Sequence, residues 1–199
     1  AWRQPFADAI KPEVEAVTSA LRTLGLGDPT TRNPNQDSRY DALRALLQRR
    51  LRTPGGAEWL ADERIIVFTE FKTTLDYLVR RLKVDFPGEG IVLQLFGAGD
   101  MDERERDAVK AAFNDPAAPV RILVATDAAS EGLNLQSSAR YLMHYDVPWN
   151  PARLEQRNGR IDRYGQARDV TVFHFNSDDD ADIAFLAFIV VKVHHIRED

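Results

Sequence analysis

From Arg64 onward, five short apolar runs alternate with segments of helical periodicity, and that alternation admits very few architectures. The runs are Ile65-Ile66-Val67-Phe68, Ile91-Val92-Leu93-Gln94-Leu95-Phe96, Ile122-Leu123-Val124-Ala125, Tyr141-Leu142-Met143-His144-Tyr145 and Val170-Thr171-Val172-Phe173-His174-Phe175. The first is apolar throughout, as in a strand covered on both faces. Between them, Phe71 to Leu82 repeats Leu75, Leu78 and Leu82 at helical spacing, and Asp102 to Phe113 forms a second helical stretch, charged on its outer side. Strands separated by helices predict a three-layer α/β domain, a mainly parallel sheet with helices on both faces. In such sheets ligands sit at the carboxyl ends of the strands. The informative residues are therefore those that follow each strand: Thr69-Glu70-Phe71-Lys72, Gly97-Ala98-Gly99-Asp100, Thr126-Asp127-Ala128-Ala129 and Asp146-Val147-Pro148-Trp149.

The chain before Arg64 has a different texture. An amphipathic helical stretch from Val14 to Leu24 is ended by Gly25 and Gly27, and turn formers follow (Asp28-Pro29-Thr30, Asn33-Pro34-Asn35). Residues 1–36 read as a connector or peripheral helix, and residues 37–199 as one lobe. Asp37-Ser38 open a helix carrying Leu43, Leu46, Leu47 and Leu51, broken at Pro54-Gly55-Gly56. At the other end, Asp178 to Asp199 predicts a helix capped by Asp178 or Asp179, with Phe185, Phe188 and Ile189 packed on the lobe. The alternative is that Phe185 to Val193 docks another part of a parent protein.

Composition removes several chemistries. There are no cysteines, which excludes disulfides, thiolate zinc sites and cysteine nucleophiles, and fits a reducing, cytoplasmic setting. The four histidines have no metal-type spacing, so no metal site is expected. The longest apolar run, Ile183 to Val191, falls well short of the ~20 residues that a membrane span requires. Ala1-Trp2-Arg3-Gln4-Pro5 lacks the parts of a signal peptide. The net charge is −5, so any contact with nucleic acid must come from a local basic surface. Of the 26 basic residues, 21 are arginine, whose planar fork of donors suits phosphate.

Three segments concentrate that chemistry. The strongest is Asn150-Pro151-Ala152-Arg153-Leu154-Glu155-Gln156-Arg157-Asn158-Gly159-Arg160-Ile161-Asp162-Arg163. Asn150 suits an N-cap and Pro151 the first helical position. On a continuous helix, Arg153, Arg157, Arg160 and Arg163 share one arc with Gln156, while Leu154 and Ile161 anchor an adjoining face. Like charges in such a row repel unless something anionic lies against them, either a ligand or local acids such as Glu155 and Asp162. The second segment is Ala125 to Gln136, a strand running into small and hydroxyl-bearing residues and then Gly132. Such a loop lets backbone N–H groups approach a phosphate or sugar. The third is the glycine turn Phe96-Gly97-Ala98-Gly99-Asp100.

In chain order these segments resemble the motifs of the superfamily 2 ATPases, in their second RecA-like lobe. Val67-Phe68-Thr69-Glu70-Phe71-Lys72-Thr73-Thr74-Leu75-Asp76-Tyr77-Leu78 is similar to motif IV in its Swi/Snf form. Gly99, Arg106 and the Phe113-Asn114 pair resemble the pattern that follows it. Thr126-Asp127 through Gln136 resembles motif V, and Gln156-Arg157-Asn158-Gly159-Arg160-Ile161-Asp162-Arg163-Tyr164-Gly165-Gln166 resembles motif VI. Ser130-Glu131-Gly132-Leu133-Asn134-Leu135-Gln136 and the Arg163-Tyr164-Gly165-Gln166 ending lean toward Swi/Snf-type translocases, near the group of the bacterial RNA-polymerase-recycling ATPase.

The resemblance implies an ATP-dependent helicase or translocase that works in cytoplasm, away from membranes. It implies that Arg160 and Arg163 reach across a cleft as the γ-phosphate contact and arginine finger. Gln156, Gly132 and Asn134 would lie by the nucleotide, and Thr69, Lys72, Gly99 and Thr126 would meet the nucleic-acid backbone. Double-stranded DNA is the favoured nucleic acid. No Gly-x-x-x-x-Gly-Lys-Ser/Thr phosphate loop and no Asp-Glu-x-His/Asp-type box following a strand occurs in the sequence. ATP with its magnesium is thus expected on a preceding N-terminal RecA-like lobe, and this chain alone is expected to be inactive. A non-catalytic RecA-like scaffold or protein-interaction module is the competing reading. A dinucleotide enzyme is disfavoured because the first strand lacks a Gly-x-Gly-x-x-Gly turn.

Overall fold

The structure, a computed structural model, describes residues 3–23, 37–97, 101–129, 134–148 and 150–175. The chain divides into two units, Ala1–Ala42 and Leu43–Asp199. The first contains helix α1 (Arg3–Thr23), which begins well before Val14 and carries Pro12 within it. Its Val14, Val17 and Leu21 are exposed. Helix α2 (Ser38–Leu51) begins in the first unit and ends in the second. Asp37 opens it, its carboxylate accepting the Tyr40 N–H at 2.9 Å. In the second unit, the expected Leu43, Leu46, Leu47 and Leu51 of α2 are all buried.

The rest of the second unit is an alternating α/β array. Strand β1 (Ile65–Thr69) is followed by helix α3 (Lys72–Asp85), β2 (Val92–Leu95), α4 (Glu103–Asn114), β3 (Ile122–Thr126), β4 (Tyr141–His144), α5 (Pro151–Asn158) and β5 (Thr171–His174). The strands form one sheet in the order β2-β3-β1-β4-β5, and every pairing is parallel. The chain travels one way through α3 to reach the β2 edge, then the opposite way through α4 to β3 and through α5 to β5. Right-handed crossovers consequently put α3 on one face and α4 and α5 on the other.

Packing follows from that placement. Leu75, Leu78, Val79 and Leu82 of α3 are buried. The opposite face is a continuous cluster of Ile66, Phe68, Leu95, Leu123, Ala125 and Leu142 from the strands, with Phe113 of α4, Leu135 and Ile161. Two local devices fix α4. Asp102 and Glu105 form a reciprocal capping box at its start. At its end, buried Arg64 donates to the carbonyls of Phe113, Asp115 and Ala118, which answers the acceptors every helix leaves open there. The helix expected near the C-terminus, with Phe185, Phe188 and Ile189, lies outside the described residues.

Candidate functional site

Because β1 lies between β3 and β4, the residues leaving those three strands meet at one point on the carboxyl edge. Thr69 of β1 stands beside Thr126 of β3 in the register. Asp127 begins a single 3₁₀ turn directly after β3, and Asp146 follows β4 by two residues. Helix α5 runs into this group, its start fixed as the sequence predicts: Pro151 at the first position and the Asn150 side chain accepting from the Ala152 N–H at 3.0 Å.

Arg157 of α5 is the centre of the group, and it has no accessible surface at all. Its guanidinium grips Asp127 with both oxygens, Nε to Oδ1 at 2.5 Å and Nη2 to Oδ2 at 2.8 Å. Nη1 donates to the Asp146 carbonyl at 2.7 Å, Nη2 reaches that residue's carboxylate at 3.3 Å, and the plane lies 5.6 Å from the centre of the Phe68 ring. Asp146 is itself held: its carboxylate accepts the Thr69 hydroxyl at 2.5 Å and the Glu70 N–H at 2.9 Å. A buried cation is tolerable only when paired and hydrogen-bonded, and Arg157 is both.

His144, at the end of β4, completes the arrangement. Nδ1 faces Arg157 Nη1 at 3.4 Å and Nε2 lies 3.0 Å from Asn158 Oδ1. A guanidinium can only donate, so Nδ1 is the accepting nitrogen and the ring proton sits on Nε2. Burial above all, and then the charge of Arg157, hold the imidazole's pKa down at about 4, which keeps it neutral near pH 7.

The expected arginine arc is corrected here. Helix α5 ends at Asn158, with Gly159 as its cap, so Arg160 and Arg163 lie in the turns beyond it. Arg157 faces the interior, Arg153 and Arg163 are exposed, and Arg160 is half-buried. Arg153 pairs with Glu70 at 3.2 Å. Arg163 donates to a neutral partner, Asn134 Oδ1, at 2.6 Å, and no carboxylate lies within ion-pair distance of it among the described residues. Asn134 is in turn linked to α4: its carbonyl accepts from Asn114 Nδ2 at 3.2 Å, and Asn114 Oδ1 accepts the Ser138 hydroxyl at 2.7 Å. Gln156 is exposed on α5.

Thr69 is the second correction. It has no accessible surface, and its hydroxyl is committed to Asp146, so it presents nothing to a ligand. Thr126 is also buried, but its hydroxyl has no hydrogen-bond partner among the described residues. Lys72 is exposed, shared between Asp76 at 3.0 Å and the face of the Phe96 ring at 4.7 Å. Gly99 and Gly132 lie outside the described residues. Sequence reasoning missed Arg157 as a structural centre and missed His144 entirely. The available signal was that Asp127 and Asp146 closely follow two of the apolar runs, where a parallel sheet brings post-strand residues together.

An all-parallel sheet with helices on both faces, its carboxyl edge organised around buried Arg157, makes this an α/β lobe of the RecA-like kind. Residues 39–165 match the family described as helicase conserved C-terminal domain, and the chain belongs to that family. It is 36% identical over 133 residues to the uncharacterized ATP-dependent helicase YqhH of Bacillus subtilis, covering 67% of this chain and 22% of that protein. It is 38% identical over 112 residues to the RNA polymerase-associated protein RapA of Vibrio cholerae, covering 56% of this chain and 11% of that protein. The chain thus spans about a fifth or less of these relatives' lengths. The C-terminal part of the Fun30 ATPase domain shares the fold, with a TM-score of 0.62 at 21% identity, over 88% of this chain and 52% of that one. Among the described residues, no helix is long and apolar enough to cross a membrane.

Proposed function

We propose that this chain is the second lobe of a nucleic-acid-dependent ATPase of the Swi/Snf-like type, and that it supplies Arg160 and Arg163 to ATP held by a preceding lobe. The observation that carries this reading is how the arginine charges are divided. Arg157 is neutralised inside by two aspartates, whereas Arg163 stands exposed against a neutral amide. An amide holds a guanidinium in position without cancelling its charge, which suits a group meant to meet a phosphoryl group in its transition state. Guanidinium and amide groups at this rim fit phosphate oxygens and not a cation, so magnesium would be carried with ATP by the preceding lobe. Asn134, Gln156 and Gly132 would approach the nucleotide from this side. Lys72 and Gly99 would meet the nucleic-acid backbone, favoured here as double-stranded DNA, through contacts blind to sequence, whereas the Thr126 hydroxyl is buried. The lobe itself would comprise residues 37–199, with 1–36 as its connector.

The test is Arg163→Ala in a parent protein that carries both lobes. Turnover of ATP should fall by roughly 10³-fold or more while binding of duplex DNA, followed by fluorescence anisotropy, stays within about twofold of wild type. Unchanged turnover would favour the scaffold reading instead. The isolated chain should show no ATP hydrolysis above background.

A further inference from the structure

Arg157 and Asn158 are consecutive residues that hold in two directions at once. Their side chains are fixed to the carboxyl edge of the sheet: Arg157 to Asp127 and Asp146, and Asn158 to His144 Nε2. Their carbonyls fix the turn that follows. Arg157 O accepts the Arg160 N–H at 3.1 Å, and Asn158 O accepts the N–H groups of Ile161 at 3.1 Å and Asp162 at 2.9 Å. The turn carrying Arg160 and leading to Arg163 is therefore anchored on one side by these two residues. Beneath it, Ile161 is buried in the core and the Arg160 carbonyl accepts from Leu135 N–H at 3.2 Å, so the turn is seated on both sides.

Among the described residues, the His144 ring touches both side chains, one through each ring nitrogen. We propose that His144 is a positioning residue, whose neutral imidazole ties Arg157 to Asn158 and thereby sets the turn that presents Arg160 and Arg163. It does not touch the nucleotide. Its role is to remove slack from the base of that turn, where a displacement of an ångström at the arginines is costly for transition-state contacts. A side chain that merely filled this space would leave Arg157 to its two aspartates and Asn158 with no tie to it. The inference rests on the assignment of Arg163 to catalysis, and the experiment below separates the two.

ATP turnover is measured in the two-lobe parent protein for His144→Leu, His144→Gln, Arg157→Met, His144→Leu with Arg157→Met, and Arg163→Ala, at a temperature where circular dichroism shows each folded. Glutamine can accept from Arg157 with its carbonyl and donate to Asn158 with its amide, whereas leucine can do neither. The expected result is a kcat loss of about tenfold or more for His144→Leu, with KM for ATP and affinity for DNA unchanged, and a return to within about threefold for His144→Gln. In the Arg157→Met background, His144→Leu should add less than about twofold, because the imidazole then has no Arg157 left to tie to Asn158. Should His144→Leu fail to fold, His144→Asn replaces it. Asparagine is too short to span both partners, so its kcat should lie below that of His144→Gln. Wild-type kcat in His144→Leu, equal kcat in the amide variants, or losses that multiply in the double variant would each overturn the proposal. If Arg163→Ala also keeps full turnover, the catalytic reading fails. If only the His144 variants do, the positioning role alone falls.

Discussion

A guanidinium without accessible surface loses several kcal/mol of hydration, and Arg157 survives that loss through five hydrogen bonds shared among Asp127, Asp146 and His144. Removing the cation leaves two partly buried carboxylates facing each other with no counter-charge. Arg157→Met should therefore destabilise the lobe by about 3–5 kcal/mol, read as a lower urea midpoint at unchanged slope. Arg163→Ala alters an exposed residue and should stay within about 0.5 kcal/mol of wild type in the same titration. Sequence spacing cannot make this distinction. Both are arginines in one motif-like run, and what separates them is which post-strand acids the fold brings within reach.

At the level of elements, much was legible and one end was not. The five apolar runs match the five strands to within a residue or two; the central strands β1, β3 and β4 are buried throughout and so leave continuous apolar stretches. The starts of α4 and α5 were also readable, since Asp102 and Asn150 are good caps followed by good first-turn residues. The end of α5 was not. Apolar and basic spacing continues past Gly159 at helical period, yet the backbone tightens into successive i to i+3 contacts there, Arg160 N–H to Arg157 O and Ile161 N–H to Asn158 O. Periodicity records which residues face the core and is insensitive to that change, so the single arginine face it implies dissolves. The site shared this limit: Thr69 and Thr126 look alike in sequence and both are buried, and only Asp146, which follows neighbouring β4, gives one hydroxyl a partner and leaves the other without one among the described residues. The capping box offers a check on the legible part. Asp102→Ala should cost about 1 kcal/mol, measured as a lower thermal midpoint, with the sheet's circular dichroism intact.

At the scale of the molecule, the same buried knot gives the fold an acid-sensitive limb. His144 has a pKa of about 4 in the folded lobe, against about 6.5 for an unfolded histidine. Between those values the unfolded chain holds a proton that the folded chain rejects, so folding becomes less favourable as the pH falls through this window. At 1.36 kcal/mol per unit the loss reaches roughly 3 kcal/mol near pH 4 and then levels off, because both states are protonated below it. Groups facing the ring act in both directions. Arg157 and His174, which lies opposite across the β4–β5 pairing, oppose protonation, while Asp127 and the hydrogen bond to Asn158 favour it. Burial outweighs the favourable pair, and that is why the sign is fixed. Urea midpoints measured at pH 7, 5.5 and 4.5 should fall more steeply for the wild-type chain than for His144→Gln, which keeps the polar contacts and cannot titrate. Parallel slopes for the two proteins would place the acid sensitivity in the carboxylates instead, and would mean that the imidazole is not held neutral by its surroundings.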